Sequence, residues 1–394
     1  MNVLLNLISI WRALMATGLA AAALAGCGVG TGGTGGNATA YAAGPISGFG
    51  SVIVNGVRFD DSAASVEDGD GGRRSSDDLR LGMTVEIDSS AISTTAAGSS
   101  ARADRIRFES ELNGVVGSID LFDGSFTLLG QRVSVDAATV FDNRLDGGGL
   151  SALRVGQLLE VYAVFDPLGG RYRATRLEQG SLAAGLRLRG PLAQVDTTAR
   201  TLRIGASSYS YDGAGAIPAN LAAGQFVRLR LGLLPQPVLR WVVQSFGTPF
   251  QALPEADEAK IEGLISSLGP NGLFAVNGRP VDASAAAVPS GLAIGMRVEV
   301  EGTLRLGVLR ATKVKILSDD DVSGRGFELN GSIAAVNSGQ ATLVLRGLTV
   351  STARSGLSYE NGTVADLLVG RSVELRAILA ADRRTLEATR IRFR

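Results

Sequence analysis

Leu79-Arg80-Leu81-Gly82-Met83-Thr84-Val85-Glu86-Ile87 reads as a turn followed by a strand, and the chain writes it five times. The pattern is L-x-x-G, then three residues on an apolar, a charged and an apolar residue. It returns at Leu153 to Gly156 with Leu159-Glu160-Val161, and at Leu221 to Gly224 with Val227-Arg228-Leu229. The fourth and fifth copies are Leu292 to Gly295 with Val298-Glu299-Val300, and Leu367 to Gly370 with Val373-Glu374-Leu375. Alternation with period two marks a strand with one buried face. The glycine is expected to take a positive φ where the chain turns into that strand.

Other blocks repeat around this one. Each copy opens on a glycine in an apolar stretch, read as Gly48, Gly114, Gly190, Gly263 and Gly331. A second glycine separates two short β-like runs at Gly56, Gly130, Gly205, Gly278 and Gly347. Val52-Ile53-Val54, Asn55-Gly56 and Val57-Arg58-Phe59 spell a hairpin with an Asn-Gly turn. Most copies close on A-T-R/K, as at Ala174-Thr175-Arg176, Ala311-Thr312-Lys313 and Ala388-Thr389-Arg390. Short strands punctuated by glycine, in a unit this small, manage their edges best by closing into a barrel. The expected fold is therefore all-β: five tandem small antiparallel barrels, OB-like or Greek-key, after a signal peptide and a flexible linker. Residues 1–26 are the signal, 27–43 the lipidated cysteine and tether, 44–110 and 111–180 repeats one and two, and 184–247 repeat three. A linker at 248–257, repeat four at 258–318 and repeat five at 326–394 complete the division. Ala283 to Ala287 and Ala214 to Ala223 are candidates for a short helical turn before L-x-x-G, and each unit is expected to close its own core.

Composition narrows the chemistry. Among 394 residues there are 38 basic and 38 acidic ones, no histidine and one cysteine. A Ser-His-Asp triad, a His-ligated metal and an internal disulfide are all excluded. Zero net charge speaks against a nucleic-acid partner, and no cofactor is indicated. Glycine, at 52 residues, is about twice its usual share.

Arg12 precedes an apolar stretch from Ala13 to Leu24, too short to span a bilayer. It ends in Leu24-Ala25-Gly26-Cys27, which resembles the lipobox of bacterial lipoproteins. The resemblance implies cleavage before Cys27 and acylation there, giving two or three chains and stable anchoring. With Gly28 next, it implies outer-membrane retention, the folded part lying in the periplasm or at the cell surface. Residues 28–43 are rich in glycine and make a tether. Gly48-Phe49-Gly50-Ser51 with Val54-Asn55-Gly56-Val57-Arg58-Phe59-Asp60 resembles a family of bacterial exported repeat proteins classed as a domain of unknown function. The resemblance is strongest in copies one, two and four, over roughly residues 44–317, with copies three and five more diverged, and it brings no catalytic residue with it.

Candidate sites are few. Asp68 and Asp70, in Glu67-Asp68-Gly69-Asp70-Gly71-Gly72, offer a partial calcium loop, but Arg73 and Arg74 follow and the distal glutamate is missing. Arg187-Leu188-Arg189 and Arg228-Leu229-Arg230 could present a guanidinium ladder in copy three, and Arg228 and Arg230, with Tyr209 and Trp241, make that copy the best candidate binding face, suited to an oligosaccharide or polyanion. Glu86, Glu160, Glu299 and Glu374 recur at one structural position, so they are read as an exposed strand face; a carboxylate-dependent hydrolase built on them is the weakest alternative. Asp319-Asp320-Asp321 reads as linker charge. The expected role is a non-enzymatic binding or scaffold protein of the cell envelope, held by its lipid, with an envelope protein or a glycan as partner.

Overall fold

The computed structural model describes residues 39–145, 147–234, 240–247, 253–318 and 326–394. The signal, Cys27, the tether to residue 38 and Asp319-Asp320-Asp321 lie outside the described residues. Asn37–Arg394 forms one unit.

Copy two shows how a unit closes. Leu112–Asp120 pairs antiparallel with Ser125–Leu128, which pairs antiparallel with Gln131–Ser134. That third strand runs parallel to Arg171–Gln179, the fifth. The fifth pairs antiparallel with Leu158–Asp166, and this fourth strand returns to the first. The circuit first-second-third-fifth-fourth-first recurs in copy one, copy three, copy four and copy five. These are five small closed OB-like barrels, and closure is what removes the exposed edges of such short strands. No helix among the described residues is long and apolar enough to cross a membrane.

The L-x-x-G glycines have φ of 81°, 87°, 86°, 83° and 86° in chain order, so the turn into the fourth strand needs the left-handed conformation that glycine adopts without strain. The opening glycine of copy one is Gly44 and not Gly48. Gly44 faces Val85, as Gly114 faces Leu159, Gly190 Val227, Gly263 Val298 and Gly331 Val373. A Cβ on Gly44 would lie 2.5 Å from Asn55 Oδ1, and one on Gly263 2.2 Å from Asn277 Nδ2. The position is glycine because the hairpin residue folds over it.

Several expectations need correction. The helical turns before L-x-x-G are 3₁₀ and lie at Ser76–Asp78, Leu150–Ala152 and Val364–Asp366, in copies one, two and five. Residues 214–223 and 283–287 form turns without a helix. Thr39–Ala43, read as tether, belongs to the first strand, Thr39–Phe49, because Ala40, Tyr41, Ala42 and Ala43 are buried. Ala256 likewise starts a strand inside the supposed linker.

The cores are also less private than the repeats suggest. Ala40–Ala43 runs parallel to Glu258–Ile261 of copy four, and Gly48-Phe49 runs parallel to Glu328-Leu329 of copy five. Copy one and copy five share one apolar cluster, which also takes in Val140 and Tyr162 of copy two. Copies two and three share a second. Copy four has a third, completed by Tyr41 and Ala43 of copy one.

The charged residue inside each alternating strand is not an exposed face. Glu299 and Glu374 are 8% and 7% exposed. Glu86 pairs with Arg279 of copy four. Glu160 lies 3.1 Å from Arg187 of copy three, and Glu374 lies 3.6 Å from Arg58 of copy one. Arg228 pairs with Asp70 and Glu109 of copy one. Glu299 is bound 3.2 Å from Lys260 of its own copy. In four copies of five, the outward residue of the fourth strand ties one barrel to another.

Candidate functional site: a chamber where four copies meet

Copies one to four line a chamber of about 420 Å³ that is open on one side to solvent. Copy one supplies the loop from Glu67 to Gly71, the opening of its fourth strand at Thr84-Val85-Glu86, and Arg107-Phe108-Glu109 at the end of its fifth. Copy two supplies Glu111, Phe165 and Tyr172; copy three supplies Arg189, Phe226, Arg228 and Phe246; copy four supplies Glu262, Asn277 and Arg279. Each group stands at a strand end or at the opening-glycine position, where the barrels come closest. Phe226 illustrates the fit, since a Cβ on Gly278 would strike its ring at 2.4 Å.

The walls are ionic and paired. Glu86 lies 3.1 Å from Arg107 and also pairs with Arg279. Burial pushes its carboxyl up, but these guanidiniums outweigh that and hold it below the ordinary carboxylate range. Glu262 lies 3.3 Å from Arg297, and Asp68 2.7 Å from Arg74. Glu111 is the under-compensated member. Its Oε1 is 3.4 Å from Arg189 and its Oε2 accepts the Ala163 N–H at 3.0 Å. Burial pushes it up to about 7, because that guanidinium and that amide return only part of the lost hydration. Tyr172 fixes the same corner by donating its hydroxyl to the Arg189 carbonyl at 2.6 Å.

The structure does not gather the candidates read from copy three into one face. Arg228 lines the chamber, donating to the Gly69 carbonyl at 2.7 Å. Arg230 stands outside it, 3.0 Å from Asp70. Tyr209 is fully buried; its hydroxyl donates to the Leu129 carbonyl at 2.7 Å and accepts from Gln131 Nε2 at 2.6 Å. Trp241 packs against the core shared by copies two and three. The arginines do stand opposite one another across the first and fourth strands, Arg187 facing Arg230 and Arg189 facing Arg228, but no stacking platform joins them: Tyr209 went to the core, and Arg187, Arg228 and Arg230 are engaged by Asp70. That same carboxylate faces Arg187, Arg228 and Arg230, while Asp68 accepts the N–H groups of Asp70 and Gly72 at 3.0 and 2.8 Å. The partial calcium loop is thus a turn closed on itself and engaged by guanidinium. Among the described residues, no group of three or more His, Cys, Asp or Glu is arranged to hold a metal. Cys27 lies outside the described residues.

Glu111, Glu262 and Arg279 were not singled out from sequence, and Arg189 was read only as a rung of the copy-three ladder. For Arg279, Arg189 and Glu262 a signal existed, because they differ from their counterparts in other copies; Glu111 carried none, since copy five has Glu328 at the same position. Arg279 stands after its turn glycine where copy one has Val57 and copy five Leu348, and Arg189 and Glu262 precede an opening glycine where copy one has Ala43.

Among solved structures, drosophila Unr CSD456 is similar over 58% of this chain and 100% of that one, at 15% identity and a TM-score of 0.16. No curated protein matches the chain. Copy one, where the GFGS resemblance was drawn, and the diverged copy three lie outside the family match, whereas copy five, expected to be diverged, lies within it. A domain described as "Domain of unknown function (DUF5666)" is found in three segments of this chain, residues 113–178, 262–315 and 330–392.

Proposed function

We propose that this chain is a lipid-anchored protein of the cell envelope, outer membrane by preference, that binds a ligand in the chamber between its barrels and does no chemistry on it. The observation that carries the reading is the chamber itself. It exists only where four copies meet, it falls in the size range of small-molecule sites, and it joins aromatic walls to a few convergent charges. The lipobox-like Leu24-Ala25-Gly26-Cys27 supports the anchor. Cells fed a palmitate analogue should label the wild type and not Cys27→Ser; equal label in both rejects lipidation at that residue. Native mass spectrometry of the full chain should carry a small molecule that Phe226→Ala loses, and an unliganded spectrum removes the chamber from the reading.

One observation favours the hydrolase alternative. Two carboxyls of the same chamber are shifted in opposite directions, Glu86 downward and Glu111 upward, as an acid and a base would be. Release of a sugar from a glycan incubated with the wild type, and none with Glu111→Gln, would move the assignment there.

A further inference from the structure

We infer that the chamber is built for a neutral sugar, one or two pyranose rings of an oligosaccharide, rather than for an ion; this rests on the binding role proposed for the chamber. Its walls combine three features. The first is aromatic surface. Aromatic residues make up 5% of the chain, yet Phe108, Phe165, Tyr172, Phe226 and Phe246 account for five of the 28 lining residues. Phe108, Phe226 and Phe246 are only half-buried, so ring surface remains for an apolar C–H face to pack on.

The second feature is the state of the charges. The wall carboxylates of Glu86, Glu109, Glu111, Asp70 and Glu262 each have a guanidinium within 3.5 Å. A free anion would compete with a carboxylate already placed against each arginine, and a free cation would compete with an arginine already placed against each of these five carboxylates; Glu67, on the rim loop, takes the Ser65 hydroxyl at 3.2 Å. Either must break a desolvated pair and strand the partner, which is costly. A hydroxyl-rich neutral ligand breaks nothing. A carboxylate has more lone-pair sites than one guanidinium uses, and a guanidinium has five N–H donors. Vicinal hydroxyls, each donor and acceptor at once, fit between such paired planar groups.

The third feature is Glu111. Its carboxylate has one guanidinium at 3.4 Å and one backbone N–H at 3.0 Å, and it stands beside Tyr172 and Arg189 on the chamber wall. One guanidinium and one amide leave lone-pair sites on this carboxylate for two hydroxyl donors.

The experiment is calorimetric titration of the full chain with uncharged oligosaccharides of glucose, galactose and N-acetylglucosamine, alongside size-matched sulfated and amine-bearing glycans. At least one neutral member should bind, and more tightly than its charged counterparts. Phe226→Leu, which keeps bulk against Gly278 but removes the ring face, and Glu111→Gln should each weaken it tenfold or more. Arg203→Ala, exposed on copy three and away from the chamber, should leave it unchanged. A sulfated or amine-bearing glycan bound more tightly, and weakened by Phe226→Leu, overturns neutrality and keeps the chamber. Binding indifferent to both chamber variants puts the ligand elsewhere and removes the chamber reading as well. No binding by any glycan overturns the sugar assignment.

Discussion

Replacing Glu111 by glutamine probes the chamber through the stability of the whole protein. In the folded state burial raises this carboxyl from 4.5 to about 7, so the folded protein holds the proton more tightly than the unfolded chain does. Stability from this group is therefore complete below about pH 4.5 and is lost as the pH climbs through 7. At roughly 1.4 kcal/mol for each pH unit, the loss totals about 3 kcal/mol. Glutamine still offers an oxygen to the Ala163 N–H, now 3.0 Å from Oε2, and cannot ionise. It also leaves Arg189 without this carboxylate, a cost carried by the variant alone. Urea unfolding of both proteins at pH 5, 6, 7 and 8, followed by circular dichroism, reads the difference, and every other titrating group cancels between them. The variant should gain about 2.5 kcal/mol on the wild type between pH 5 and pH 8, the rest of the loss having occurred below pH 5, whatever its offset at pH 5. A gap constant to within about 0.5 kcal/mol across that range would mean that Glu111 is solvated or fully compensated, and the electrostatic account of the chamber would be wrong.

The L-x-x-G corner allows a comparison inside one molecule. Leu81 is 2% exposed because its corner packs on copy two, where Arg176 Nη1 donates to its carbonyl at 3.2 Å, whereas Val369, at the same place in copy five, is 67% exposed. Leu81→Ala should cost about 2–5 kcal/mol and Val369→Ala less than about 0.5 kcal/mol in chemical unfolding; equal costs would deny the docking. Gly263→Ala places a methyl 2.2 Å from Asn277 Nδ2 and strains the bond from the Leu264 N–H to Asn277 Oδ1, 2.9 Å long, so about 1–3 kcal/mol should be lost; a neutral result would show that the hairpin yields freely. Residues 39–110 made alone lack the copy-five half of their apolar cluster and should associate or aggregate in sedimentation; a monomer as heat-resistant as the full chain would restore the idea of private cores.

What could be read in advance was whatever one repeat contains. The turn glycines need only local backbone geometry, so five L-x-x-G sites announce five left-handed turns, and the alternation beside them announces the fourth strand. Where two glycines compete four residues apart, local reading lost the register: Gly48 sits in the more conspicuous Gly-Phe-Gly, but Gly44 is the one over which Asn55 folds. The chamber needed information that no repeat contains. Glu86 and Glu160 occupy equivalent sites and look alike in sequence, yet one meets Arg279 of copy four and the other Arg187 of copy three. Their partners follow from how barrels pack, and that packing is set by contacts such as Ala40–Ala43 against Glu258–Ile261, more than 200 residues away in the chain. Repetition at a structural position was therefore wrongly read as exposure. In a repeat array the same outward position can be used again and again as the joint, with the opposing charge free to differ at each one. Copy three reverses the sign there, with Arg228 meeting Asp70 and Glu109, and that reversal is what carries a guanidinium into the chamber opposite the carboxylates of copy one. The repeat thus marks where the copies meet, and a departure from it, Arg228, marks where the sign of the joint changes.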